Sequence, residues 1–152
     1  MRAARLKIIF AVPLGLMSCF ATADSKLSFS PQYKAEAEVI SKGQEIKVTA
    51  KVGLQEVTDT FTIETQKELR LAVDDFDFDG RMDFSASHTD DGMGTYLISH
   101  LYRYSARDRK FVPMAPNCGD EFINMVVSKK KRTLTNSYVF GDRYKTCTIT
   151  FK

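Results

Sequence analysis

The sequence predicts an all-β protein: a single antiparallel β domain, folded as a sandwich or a propeller-blade-like meander. Three observations carry that expectation. Apolar residues recur with a period of two along most of the chain. Residues with turn chemistry separate the runs, and no stretch of a dozen residues sustains a 3.6-residue period. At 152 residues, with no composition break or linker, one domain is expected. A hydrophobic fraction of 43% is too high for intrinsic disorder.

The first 23 residues stand apart. Met1 to Lys7 carries Arg2, Arg5 and Lys7 with no acid, and an apolar run follows from Ile8 to Met17. Ala21-Thr22-Ala23 then supplies the small residues of a cleavage site, the order of a secretory signal peptide. The apolar run falls short of the roughly 20 residues that span a bilayer. An alternative reading takes Leu16-Met17-Ser18-Cys19 as a lipobox, with Cys19 lipidated as an anchor. Both routes lead to the periplasm. Three of the 22 basic residues lie in this segment and none of the 19 acidic ones, so residues 24–152 carry 19 of each. The formal charge of +3 therefore belongs to the leader, and no nucleic-acid partner is expected.

Along the remaining chain, Glu45 to Val52 and Thr58 to Ile63 are rich in β-formers, and Glu68 to Val73 alternates Leu69, Leu71 and Val73 with polar neighbours. Tyr96 to Tyr104 places Tyr96, Ile98, Tyr102 and Tyr104 on one face, with Leu97 and Leu101 on the other. Such a strand is covered on both sides. Arg143 to Phe151 sets Cys147, Ile149 and Phe151 opposite Tyr144, Thr146, Thr148 and Thr150, a half-buried pattern. Ser41-Lys42-Gly43, Asp90-Asp91-Gly92, Ser105 to Arg109 and Gly141-Asp142 supply the turns. Ser30 to Val39 reads as either a short helix or a strand. Cys118 and Cys147 form an even pair, expected as a disulfide in an oxidising compartment and worth about 3–4 kcal/mol in the chain-entropy model. Two buried free thiols are the alternative.

One motif is chemically specific. Asp75-Phe76-Asp77-Phe78-Asp79-Gly80-Arg81-Met82-Asp83 has the pattern D-x-D-x-D-G-x-x-D. Carboxylates at alternate positions converge on one point, and Gly80 permits the bend. Oxygen ligands without His or Cys select Ca²⁺. Asp75, Asp77 and Asp79 are expected to ligate through side chains, Arg81 through its carbonyl, and Asp83 directly or through water. Ala86 stands where an EF-hand needs its bidentate Glu, and both flanks read as strand. This is a strand-loop-strand calcium site; an acidic solvated turn is the bland alternative, at the cost of unrelieved repulsion.

The loop, together with Gly94-Thr95-Tyr96, Tyr102-Arg103-Tyr104 and Lys110-Phe111-Val112 in that order, resembles small exported FG-GAP-like bacterial proteins. That family includes periplasmic immunity proteins, and its shape resembles periplasmic lysozyme inhibitors. The resemblance implies a partner: a peptidoglycan-degrading, lysozyme-like effector delivered by a type IV or type VI secretion system. A loose counterpart of an inhibitory loop is Asp91-Gly92-Met93-Gly94-Thr95-Tyr96. Expected contact residues are therefore Asp91, Met93, Tyr96 and Tyr102, with Lys130 and Arg132 from the basic run at 129–132.

No catalytic machinery is expected. There is no Gly-x-Ser-x-Gly elbow, His-Glu-x-x-His helix or phosphate-cradling glycine loop. Neighbours such as Asp90-Asp91 point to opposite faces of a strand. His88 and His100 read as polar side chains at a sheet surface. The rival to the inhibitor is a non-catalytic glycan- or surface-binding module of the envelope.

Overall fold

The computed structural model describes residues 24–152; the export reading at 1–23, with Cys19, lies outside them. Among the described residues there are eleven strands and no helix: β1 (Ser25–Phe29), β2 (Ala35–Lys42), β3 (Glu45–Val52), β4 (Gln55–Thr62), β5 (Arg70–Asp74), β6 (Asp83–Thr89), β7 (Leu97–Ser105), β8 (Lys110–Met114), β9 (Phe122–Ser128), β10 (Thr133–Phe140) and β11 (Arg143–Thr150). All pairings are antiparallel. The segment that reads as helix or strand is a turn at 31–34 followed by β2.

Strands β1 to β4 form a four-stranded meander. Its β2–β3 and β3–β4 hairpins, like β10–β11, turn in two residues. Each begins with a glycine (Gly43, Gly53, Gly141) at φ of +59°, +61° and +62°, backbone that a Cβ resists and that suits the right-handed strand twist. The second sheet runs β11-β10-β9-β7-β6-β5, with β8 also paired to β7. One edge of β7 takes β6; the other is shared, β9 beside Ile98 and Ser99 and β8 beside Leu101 to Ser105.

The two sheets stack as a sandwich. Small residues of the meander (Ala37, Ala50) meet large ones of the second sheet (Phe84, Tyr102, Phe111), with Val39, Ile46 and Val48 filling between. Phe84 and Tyr102 stack at 4.6 Å and 9°. Leu101 points the other way, into a second core with Phe122 and Leu134. So β7 is buried on both faces, as its pattern predicts.

The loop between β5 and β6 contributes Phe76 and Phe78 to the second core. The segment after β8 is held by the Cys118–Cys147 disulfide, Cα–Cα 6.4 Å, and by Asn136. This asparagine, 0% exposed, accepts from Ile123 N–H (2.7 Å) and donates to the carbonyls of Cys118 and Glu121 (2.9 Å each). A buried amide is tolerable when its polar atoms are matched in this way.

Candidate metal centre

The aspartate loop joins Asp74, the end of β5, to Asp83, the start of β6. Its alternation has two functions. Phe76 and Phe78 are buried in the second core, which leaves the intervening aspartates on the opposite side of the loop. Phe78 takes a left-handed φ of +58° and Gly80 one of +85°, the first unfavourable for a bulky residue. Burial against Phe151 (5.5 Å) holds the Phe78 ring in place.

Asp83 is the keystone. It is 1% exposed, and its two carboxylate oxygens accept from Phe76 N–H (2.9 Å) and Tyr104 N–H (2.8 Å), tying loop to β7. Asp75 accepts from Asp79 N–H (3.0 Å) and Gly80 N–H (2.9 Å), and Asp77 from Asp79 N–H at 3.2 Å. One carboxylate oxygen each from Asp75, Asp77 and Asp83 lies within 4.8 Å of the other two. Three of the five expected ligand residues are thus brought together.

Asp79 is turned differently. Asp79 accepts from its neighbour's backbone, Arg81 N–H at 2.8 Å, and pairs with the Arg81 guanidinium at 2.5 Å. That guanidinium also reaches Gln32 Oε1 at 3.4 Å. Asp79 is therefore a brace of the loop and stands outside the convergent trio.

Burial pushes Asp83 up to about 7, with Asp77 adding repulsion, against opposing hydrogen bonds from the Tyr104, Phe76 and Asp77 backbone. Asp77 is raised too, by burial first and then by Asp79 and Asp75. Burial and neighbouring like charges both disfavour the ionised carboxylate. An oxygen-rich trio suits a hard divalent ion such as Ca²⁺, whose charge would offset the repulsion.

The basic run clasps the loop from outside. Lys129 Nζ pairs with Asp74, donates to Asp75 O (3.3 Å) and lies 5.4 Å above the Phe78 ring. Arg132 donates to the carbonyls of Phe78 and Lys152, both at 2.6 Å. This revises the expectation for Arg132: its guanidinium is engaged within the chain, whereas Lys130 remains exposed at the tip.

The remaining expected contact residues divide. Between β6 and β7, the Asp90 carboxylate accepts from Tyr96 N–H (2.7 Å) and Gly94 N–H (3.2 Å), while Asp90 N–H donates to Tyr96 O. Asp91 accepts from Thr65 Oγ1 and Gln66 N–H, both at 2.9 Å. These backbone donors hold both carboxyls below their ordinary value. The closed loop lifts Met93, 89% exposed, at its tip, and Tyr96 meets Tyr144 hydroxyl to hydroxyl. Tyr102 is a correction. At 5% exposure it is core, packed on Phe84 and Phe61, beyond a partner's reach. His88 is a second correction: it is buried, with Nε2 3.4 Å from that of His100 and Nδ1 near Thr89 O and Thr65 Oγ1.

Sequence reading missed the clasp at Lys129 and the keystone amide of Asn136. The second had a signal: Asn is disfavoured in a strand, so one inside an apolar β run marks a structural job. No protein-family model matches the chain, and comparisons with curated proteins and with solved structures give no match either.

Proposed function

We propose that this protein is an exported, calcium-stabilised, non-catalytic β module that binds and blocks a secreted peptidoglycan-degrading, lysozyme-like effector. The observation that carries this reading is the 90–96 loop. A steric plug needs a projecting, preorganised element, and here two carboxylates lock the loop backbone while Met93 projects. Strand β6 joins the plug to the aspartate loop: Asp83 begins it and the 90–96 loop follows Thr89. Calcium at Asp75, Asp77 and Asp83 fixes the near end of that strand, so the far end is presented rigidly. The Cys118–Cys147 disulfide suits an oxidising compartment such as the periplasm. The D-x-D-x-D-G-x-x-D loop carries the likeness to FG-GAP-like immunity proteins.

The test is a wall-lysis assay with a secreted lysozyme-like peptidoglycan hydrolase. Wild type suppresses lysis, and Met93→Asp weakens suppression at least tenfold. Undiminished lysis with wild type, or full potency in the variant, refutes the plug. The exposed Tyr144 beside Tyr96 favours a second reading, an envelope glycan-binding module; it predicts retention on purified wall polymer with no hydrolase present.

A further inference from the structure

A cleft of about 390 Å³ lies beside the aspartate loop, within the size range of small-ligand sites. Met114, Ile149 and Phe151 are among its apolar lining residues. Arg103, Asp77 and Asn117 also line it. Two charges face one another there without closing: Arg103 Nη1 stands 4.0 Å from Asp77 Oδ2, the limit of an ion pair. Asp77 Oδ1 is turned to Asp79 N–H, leaving Oδ2 on the Arg103 side. Among the described residues Arg103 makes no closer ion pair.

The walls are fixed. Asn117 precedes Cys118 on one side, and Ile149 follows Cys147 by two residues on the other, so the disulfide sets the width between them. Phe151 is anchored by its own N–H to Arg132 O at 3.0 Å. A cleft held in shape this way has little ordering left to do on binding.

We propose that this cleft binds the C-terminal residue of a peptide. That residue presents a carboxylate, an amide N–H close to it and a side chain, and the cleft offers a partner for each. The Arg103 guanidinium takes the carboxylate, for which its planar fork is suited. Asp77 Oδ2 accepts from the amide N–H, and Met114, Ile149 and Phe151 take an apolar side chain. The opposite charges of Arg103 and Asp77 discriminate against a reversed ligand. Binding here is independent of the plug loop, which lies at the other end of β6.

The experiment is a ¹H–¹⁵N NMR titration of the full described chain in calcium-containing buffer. Acetyl-Ala-Leu with a free carboxylate is compared with its C-terminal amide and with acetyl-Ala-Lys. The free acid is expected to shift amides of Arg103, Asn117 and Ile149 to Phe151, and the amide and lysine peptides to bind at least about tenfold more weakly. Arg103→Gln, at an exposed position, should keep the native spectrum and lose at least about tenfold in affinity, with Arg103→Lys recovering part of it. Equal binding of acid and amide, shifts elsewhere on the molecule, or an unaltered Arg103→Gln affinity would each overturn the proposal. Inhibition of lysis is untouched by any of these outcomes, so this site and the plug fail separately.

Discussion

The two aspartate-rich loops that flank β6 are opposites. In the loop at 75–83, Asp83 and Asp77 are raised, chiefly by burial, with Asp77 adding to the rise of Asp83 and Asp79 and Asp75 to that of Asp77. In the loop at 90–96, Asp90 and Asp91 are lowered by backbone N–H groups. Their hydrophobic residues are reversed as well: Phe76 and Phe78 turn inward, whereas Met93 turns out. Composition alone makes both simply acidic. What separates them is where the backbone donors go. Asp90 and Asp91 take donors from their own surroundings, whereas three carboxylates of the other loop, with Asp83 buried, converge within 4.8 Å of one another. Burial thus raises the carboxyls of one loop, and amide donors lower those of the other.

The largest break in that comparison is Asp83→Ala. It strips the acceptor from two buried backbone N–H groups, of Phe76 and Tyr104, at about 2–3 kcal/mol. Urea unfolding without calcium should show a stability loss of that size, and the calcium response should vanish as well. An Asp83→Ala protein as stable as wild type would mean that the keystone role is wrong.

Calcium itself comes next. At a free concentration a hundred times its Kd, the ion should stabilise the fold by about 2.7 kcal/mol. Chelation should remove that gain, and Asp77→Ala should abolish it while leaving the fold intact. Unaltered calcium titration in Asp77→Ala would place the ion elsewhere. The same site sets a pH dependence. With Asp83 near 7, about nine-tenths of it is ionised at pH 8 and about one-tenth at pH 6, and only the ionised form ligates. Affinity should fall about tenfold on acidification across that range, read by isothermal titration. Without metal the sign reverses. A folded-state pKa raised above the ordinary 3.8 means that Asp83 contributes stability at low pH, which is lost as pH rises through about 7.

Much of this contrast was legible in the sequence, and the rest was not for physical reasons. The all-β class followed from period two, and the convergence of Asp75, Asp77 and Asp83 from carboxylate spacing around Gly80. That Phe76 and Phe78 would cap a second core was implicit in the same alternation, since a residue between two converging carboxylates must face away from them. Tyr102 failed as a surface residue because periodicity assigns it a face but cannot say whether that face is covered; the meander packs on it. Arg132 failed because a charge at a hairpin tip looks solvated until the tip folds back onto another loop. Asp79 could not be separated from its neighbours by spacing, since Arg81 two residues on captures it.

The smallest effect is the sharpest discriminator. Asp90→Ala removes the carboxylate that accepts from Gly94 and Tyr96 N–H, yet it touches neither the second core nor the trio. Global stability and calcium affinity should stay at wild-type values. Hydrogen exchange at the Gly94 and Tyr96 amides should quicken, because a loop that loses its closing acceptor opens locally without unfolding the sheet. If inhibition depends on a preorganised plug, the same variant weakens suppression of lysis through a faster off-rate, with the Met93 side chain still present. Unchanged exchange at both amides would show that Asp91, through Thr65 and Gln66, holds the loop by itself. Altered calcium affinity would show instead that the two loops communicate along β6 and are not the independent opposites that their electrostatics describe.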